Sequence, residues 1–126
     1  MNLLLDTHAF LWWLADDPAL GREARQAVAD PSAIVHVSAA TLWEISIKQV
    51  LGKLDVDSPD LAAEIAANGF VELAITGRHA LTAGALPCHL DDPLDRMLVA
   101  QALAEGLVLV TRDPALEPYG VRTPAA

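Results

Sequence analysis

The chain has 126 residues, 53% of them hydrophobic and 20% charged. That size gives one domain with a real core rather than two, and that composition excludes a disordered chain. A formal charge of −9, from 17 acidic and 8 basic residues, argues against broad electrostatic binding to nucleic acid; it suits a protein that gathers acids around a cation or meets a basic partner. No apolar stretch approaches the roughly 20 residues needed to cross a bilayer. Met1-Asn2 leads straight into apolar sequence with no basic region or cleavage signal. A lone cysteine, Cys88, excludes an internal disulfide and a cysteine-rich zinc site. The expectation is a cytoplasmic protein with no membrane association.

In chain order, Leu3-Leu4-Leu5 reads as a strand buried on both faces, ending at Asp6, and Phe10 to Leu14 follows as a helix. Asp17-Pro18 resembles a helix start, with a second helix running to Ala29 and stopped by Asp30-Pro31-Ser32. Ala33 to Val37 is a second strand, Ser38 an N-cap, and a strong helix runs from there to Leu51 before Gly52. Asp57-Ser58-Pro59 opens another helix that closes near Asn68-Gly69. Phe70 to Leu73 is a third strand and Gly77 to Leu86 a short helix. Asp92-Pro93 opens a helix ending at Glu105-Gly106, and Leu107 to Val110, fully apolar, reads as a central strand. Asp113-Pro114 turns into a short helical piece, and Tyr119-Gly120-Val121 reads as an edge strand. Strands alternating with helices imply a single domain over residues 1–126, a three-layer α/β/α sandwich on a parallel sheet of about five strands.

Four carboxylates stand out beside apolar sequence: Asp6, Glu44, Asp95 and Asp113. Each also has a plain reading. Asp6 and Asp113 can cap the helices that follow, Asp95 favours the dipole of its own helix, and Glu44 can pair with Lys48 at i,i+4. Their joint placement favours a site. Asp6 and Asp113 follow the two most apolar strands, which are expected to be neighbours, so both reach one edge of the sheet. Ligands of open parallel sheets bind beyond that edge. Glu44 borders an apolar arc of Trp43, Ile47, Val50 and Leu51, expected to be core. Carboxylates crowded within about 4–6 Å raise each other's pKa, and a hard cation such as Mg²⁺ or Mn²⁺ relieves the conflict. Such a site suits phosphodiester hydrolysis.

At these residues the sequence resembles the PIN domain, and more narrowly the VapC-type ribonuclease toxins of type II toxin–antitoxin pairs. The resemblance rests on Leu4-Leu5-Asp6-Thr7-His8, on Val37 to Ile45 with Lys48 and Gly52-Lys53-Leu54, on Asp92-Pro93-Leu94-Asp95-Arg96 with Ala100-Gln101-Ala102, and on Val110-Thr111-Arg112-Asp113. It spans nearly the whole chain. It implies a Mg²⁺- or Mn²⁺-dependent endoribonuclease that inhibits translation and growth, with Asp6, Glu44, Asp95 and Asp113 as metal-binding acids. It also implies a VapB-type antitoxin with a basic residue near its C-terminus, a homodimer and a toxin–antitoxin hetero-oligomer. Asp92 matches a recurrent acid of the same loop and reads as an N-cap. Ser38 and Thr111 could offer hydroxyls near the pocket.

Lys48, Arg96 and Arg112 lie next to the acids and could meet RNA phosphate, and Arg22, Arg25, Lys53 and Arg78 could extend a track. Trp12, Trp13 and Trp43 are candidates for an apolar groove that takes a partner helix. Trp12 and Trp13, being adjacent, point different ways. His8, His36, His79 and His89 are scattered and read as structural, with His8 the nearest to an acid. Two other classes remain: a receiver-like module with Mg²⁺ at the sheet edge, which lacks an Asp at Leu73-Ala74-Ile75 and a Lys after Lys53, and a non-catalytic partner-binding domain.

Overall fold

The computed structural model describes residues 1–56, 58–87 and 91–119. Strands β1 (Asn2–Leu5), β2 (Ile34–Ser38), β3 (Val71–Leu73) and β4 (Val108–Val110) alternate with helices α1 (Thr7–Leu14), α2 (Arg22–Ala29), α3 (Ala39–Val50), α4 (Leu61–Ala67), α5 (Gly77–Ala85) and α6 (Pro93–Glu105). A 3-10 helix, Pro114–Tyr119, follows. The sheet is wholly parallel, in the order β3-β2-β1-β4. From β1 the chain steps outward through β2 to β3, then returns to the far side of β1 as β4. The order therefore reverses between β1 and β4, which makes the gap beyond their carboxyl ends the natural ligand position.

Period-two alternation along the strands builds two cores. Leu3, Leu5, Val108 and Val110 turn to one face, where Phe10 of α1, Ala24 and Val28 of α2, Ile45 of α3 and Ile65 of α4 cover them. Leu4 and Leu109 turn to the other, against Leu98, Val99 and Ala102 of α6 and Leu116 of the 3-10 helix. Burying one aliphatic side chain in such a core contributes about 1.5–3 kcal/mol, so this continuous apolar sequence sets the sheet.

Five readings need correction. α4 does not open at Asp57-Ser58-Pro59: its first residue is Leu61, capped by Asp60, whose carboxylate accepts the Ala63 N–H at 3.1 Å. The described sheet has four strands, not five: Tyr119 ends the 3-10 helix, and Gly120 and Val121 lie outside the described residues. β4 is the terminal strand of that sheet, not an inner one, yet stays buried because α6 and Leu116 cover it. Asp17-Pro18 does not start α2. The Asp17 carboxylate instead accepts the Ala19 N–H at 2.9 Å, which turns the chain, and α2 begins after Gly21. The arc of Trp43, Ile47, Val50 and Leu51 faces outward, with Val50 86% exposed, while α3 buries Ala40, Thr41 and Ile45. Small and β-branched residues let α3 approach the sheet, so the bulkier residues fall on the opposite side.

Candidate active site

Asp6, Asp95 and Asp113 each sit where an element begins or ends at the β1/β4 reversal, and Glu44 lies midway along α3. Asp6 closes β1 and N-caps α1: its carboxylate accepts the Ala9 N–H at 2.8 Å, and its own N–H donates to the Val110 carbonyl of β4 at 3.1 Å. One residue therefore ties the last rung of the sheet to the first turn of a helix. Asp113 follows the end of β4 by three residues, its carboxylate accepting the Ala115 N–H at 2.9 Å. Between them, buried Thr111 hydrogen-bonds the Asp6 carboxylate and accepts the Asp113 N–H at 3.1 Å.

Glu44 reaches in from α3. One of its oxygens accepts the Thr7 hydroxyl, and the other pairs with Lys48 Nζ at 3.1 Å. Asp92 N-caps α6 through the N–H groups of Leu94 and Asp95, as the Asp-Pro start implies, and leaves Asp95 in the first turn facing the other acids. Ser38, fully buried, N-caps α3 by accepting the Ala40 N–H at 3.0 Å, so its hydroxyl is used within the fold.

The four acids act on one another electrostatically. Asp95 is pushed up to about 6, by burial first and then by the like charges of Asp92, Glu44, Asp113 and Asp6. Asp6 is raised as well, chiefly by burial, with Thr111 and the Ala9 N–H opposing. A helix N-terminus ordinarily favours a carboxylate by about 0.3–1 kcal/mol; at Asp95, burial and repulsion outweigh it. The donor set fits a hard divalent cation, being all oxygen and strongly negative. Among the described residues no three acids or histidines yet stand close enough to share one ion. Each carboxylate except Asp95 is engaged locally, by a helix-start N–H or by Thr7 and Lys48.

This arrangement of sheet and acids can be set beside known proteins. The profile of the PIN domain matches residues 3–120. The chain belongs to the PIN-domain family. Ribonuclease VapC22 of Mycobacterium tuberculosis (strain ATCC 25618 / H37Rv) is 31% identical over 120 residues, spanning 94% of this chain and 92% of that protein. The fold matches that of VapBC2 from Rickettsia felis, solved with a DNA fragment from the promoter, at a TM-score of 0.73 and 14% identity over 99% of this chain and 98% of that one. It also matches VapBC-1 from nontypeable Haemophilus influenzae, at a TM-score of 0.68 and 18% identity over 99% of this chain and 98% of that one.

The other candidates of this PIN domain divide by position. Arg96 turns away from the acids and donates to the carbonyls of Ala83, Gly84, Leu86 and Pro87, so it caps the end of α5. Arg112 lies over the Trp12 ring, 4.8 Å from its centroid, and donates to the Ala19 carbonyl. Arg25 is paired with Asp16 at 2.8 Å, which takes it out of any basic track. Trp12 stacks on His8 at 5.7 Å, and both line a groove of about 440 Å³ with Leu11, Leu54 and Val56. Trp13 points elsewhere, donating to Asn68 and leaning on Phe70. Trp43 is 61% exposed on the outer side of α3 and lines no part of that groove. His36 bonds the Leu3 carbonyl and His79 is buried against Glu105; His89 lies outside the described residues.

Sequence reasoning passed over Thr7 and Thr41, which back Glu44 from inside. The available signal was Thr41 three positions before Glu44, hence on the same side of a helix.

Proposed function

We propose that this PIN domain is a Mg²⁺- or Mn²⁺-dependent endoribonuclease acting in the cytoplasm as the toxin of a type II pair, where RNA hydrolysis inhibits translation and growth. What supports the reading is the coupling of Asp95 to Asp6, Glu44, Asp92 and Asp113 at the sheet reversal, together with a ribonuclease relative matched over nearly its whole length. Asp6, Glu44, Asp95 and Asp113 would hold the ion. When bound, it supplies Lewis acidity and neutralises charge at a phosphodiester.

The chain's own residues do the rest. Thr111 orients Asp6 and Asp113 together, Thr7 orients Glu44, and the N-cap at Asp92 presents Asp95. Lys48, 39% exposed beside Glu44, is the cation best placed to meet an RNA phosphate at the rim. With a net charge of −9, RNA is held by few contacts near the site and not by a broad basic face.

The antitoxin reading takes the groove of His8, Leu11, Trp12, Leu54 and Val56 as the seat of an apolar helix. Asp17, Asp55 and Glu64 on the same lining suit a basic flank in that partner. The solved relatives are themselves named as VapBC pairs. The decisive experiment incubates purified protein with total RNA in Mn²⁺ or Mg²⁺, with and without EDTA. Cleavage that EDTA abolishes supports the nuclease; intact RNA under every condition leaves a partner-binding domain.

A further inference from the structure

Both oxygens of the Glu44 carboxylate are engaged, and by unequal partners. The outer one pairs with Lys48 at 3.1 Å, and that lysine is 39% exposed. The inner one accepts from Thr7, which is 7% exposed and lies 3.4 Å, hydroxyl to hydroxyl, from Thr41, itself 1% exposed. A threonine hydroxyl has one proton and a carboxylate accepts only, so the Thr7 proton goes to Glu44. Thr41 can then donate its own proton to the Thr7 oxygen. The result is a buried line of two hydroxyls ending on Glu44.

Thr7 is also the residue after Asp6, whose backbone is pinned to Val110 and whose side chain caps α1. The junction that fixes Asp6 therefore fixes the holder of Glu44, and two acids from different elements share one mount. Without the Thr7 hydroxyl, the remaining grip on Glu44 is Lys48, a partly exposed side chain that holds only the other carboxylate oxygen.

We propose that Thr7, backed by Thr41, is the positioning residue that turns Glu44 toward Asp6 and Asp95 and so sets the affinity of the site for a divalent cation. This rests on the metal-site reading above. Partners that orient a metal ligand are commonly worth about 10–100-fold in affinity.

The test is Mn²⁺ titration by calorimetry on the wild type and on Thr7→Val, Thr7→Ser, Glu44→Gln and the Thr7→Val/Glu44→Gln double variant, with far-UV circular dichroism to verify folding. Thr7→Val keeps the shape and removes the hydroxyl, and its affinity should fall by about 10–100-fold. Thr7→Ser restores the hydroxyl and should stay within about 3-fold of the wild type if the bond and not the methyl group matters. Added to Glu44→Gln, Thr7→Val should change affinity by less than about 2-fold, because its effect runs through Glu44. Wild-type affinity in Thr7→Val, equal losses in the valine and serine variants, or a full additional loss in the double variant would each overturn the proposal and leave the metal site standing. A wild type that binds no Mn²⁺ sinks the metal site itself, and this proposal with it.

Discussion

α6 carries a polar cluster at each end, about 15 Å apart along its axis at 1.5 Å per residue from Asp95 to Glu105, and the two are built in opposite ways. At the carboxyl end, His79 is 1% exposed and fully engaged: its Nδ1 accepts the Thr76 N–H at 3.1 Å, and its Nε2 lies 2.8 Å from Glu105. An amide can only donate, so Nδ1 is the acceptor and Nε2 carries the proton toward Glu105. Gln101 joins the group by donating to the Ala74 carbonyl at 3.4 Å, while its own Oε1 is buried with no partner among the described residues. Apart from that oxygen, donors there face acceptors. At the amino end, Asp95 meets the like charges of Asp92, Glu44, Asp113 and Asp6, with Lys48 paired to Glu44. A buried polar cluster whose groups are nearly all partnered holds a fold together, whereas an excess of one charge sign, only partly offset by Lys48, is the kind that a bound counter-ion relieves.

The largest effect that could break this contrast is on chemistry. Asp6→Asn removes charge without changing volume, and RNA cleavage should fall by at least about 100-fold, more than outer partners of a ligand are usually worth. The melting temperature should hold or rise, since burial already penalises the ionised form of Asp6. Cleavage at the wild-type rate would remove Asp6 from the site. His79→Ala should do the reverse. It strands the Thr76 N–H and the Glu105 carboxylate and should lower stability by about 2–3 kcal/mol in a denaturant titration, while cleavage per folded molecule is unchanged. If His79→Ala lost activity at constant stability, the carboxyl end would belong to the site as well.

Much of this was legible in the sequence because it depends on local rules. Leu3-Leu4-Leu5 before Asp6 and the Asp92-Pro93 start both read correctly, the first from unbroken apolarity and the second from cap chemistry. What could not be read was orientation set by packing. α3 has bulky apolar residues on one side and Ala40, Thr41 and Ile45 on the other, and periodicity alone chooses the bulky side. The sheet chose the small one, because a close approach is needed to bring Glu44 to Thr7. Arg96 was ambiguous for the same reason: next to Asp95 in sequence, it points back along α6 to the carbonyls ending α5. Arg96→Ala should therefore cost about 1–2 kcal/mol of stability and leave the salt dependence of RNA binding as it was. A shallower salt slope would instead mark Arg96 as a phosphate contact.

The smallest expected effect is the most direct measure of the charge imbalance. Burial and the neighbouring acids push Asp95 up to about 6 in the folded protein from the ordinary carboxylate value of 3.8. Between these values the folded state binds more protons than the unfolded one, so wild-type stability declines as pH rises from about 4 to about 6 and is level beyond. Asp95→Asn has no such charge to bury. In EDTA the variant should be the more stable protein at pH 7.5, by about 1 kcal/mol once solvent screening of a half-exposed carboxyl is allowed for, and the gap should close toward pH 4.5. Adding Mn²⁺ should reverse the order at pH 7.5. The ion stabilises the folded state in proportion to how tightly it binds, and the wild type keeps the charge that attracts it. An Asp95→Asn protein less stable than the wild type at pH 7.5 without metal would mean that Asp95 is held by a partner in the fold, and the two ends of α6 would then differ only in degree.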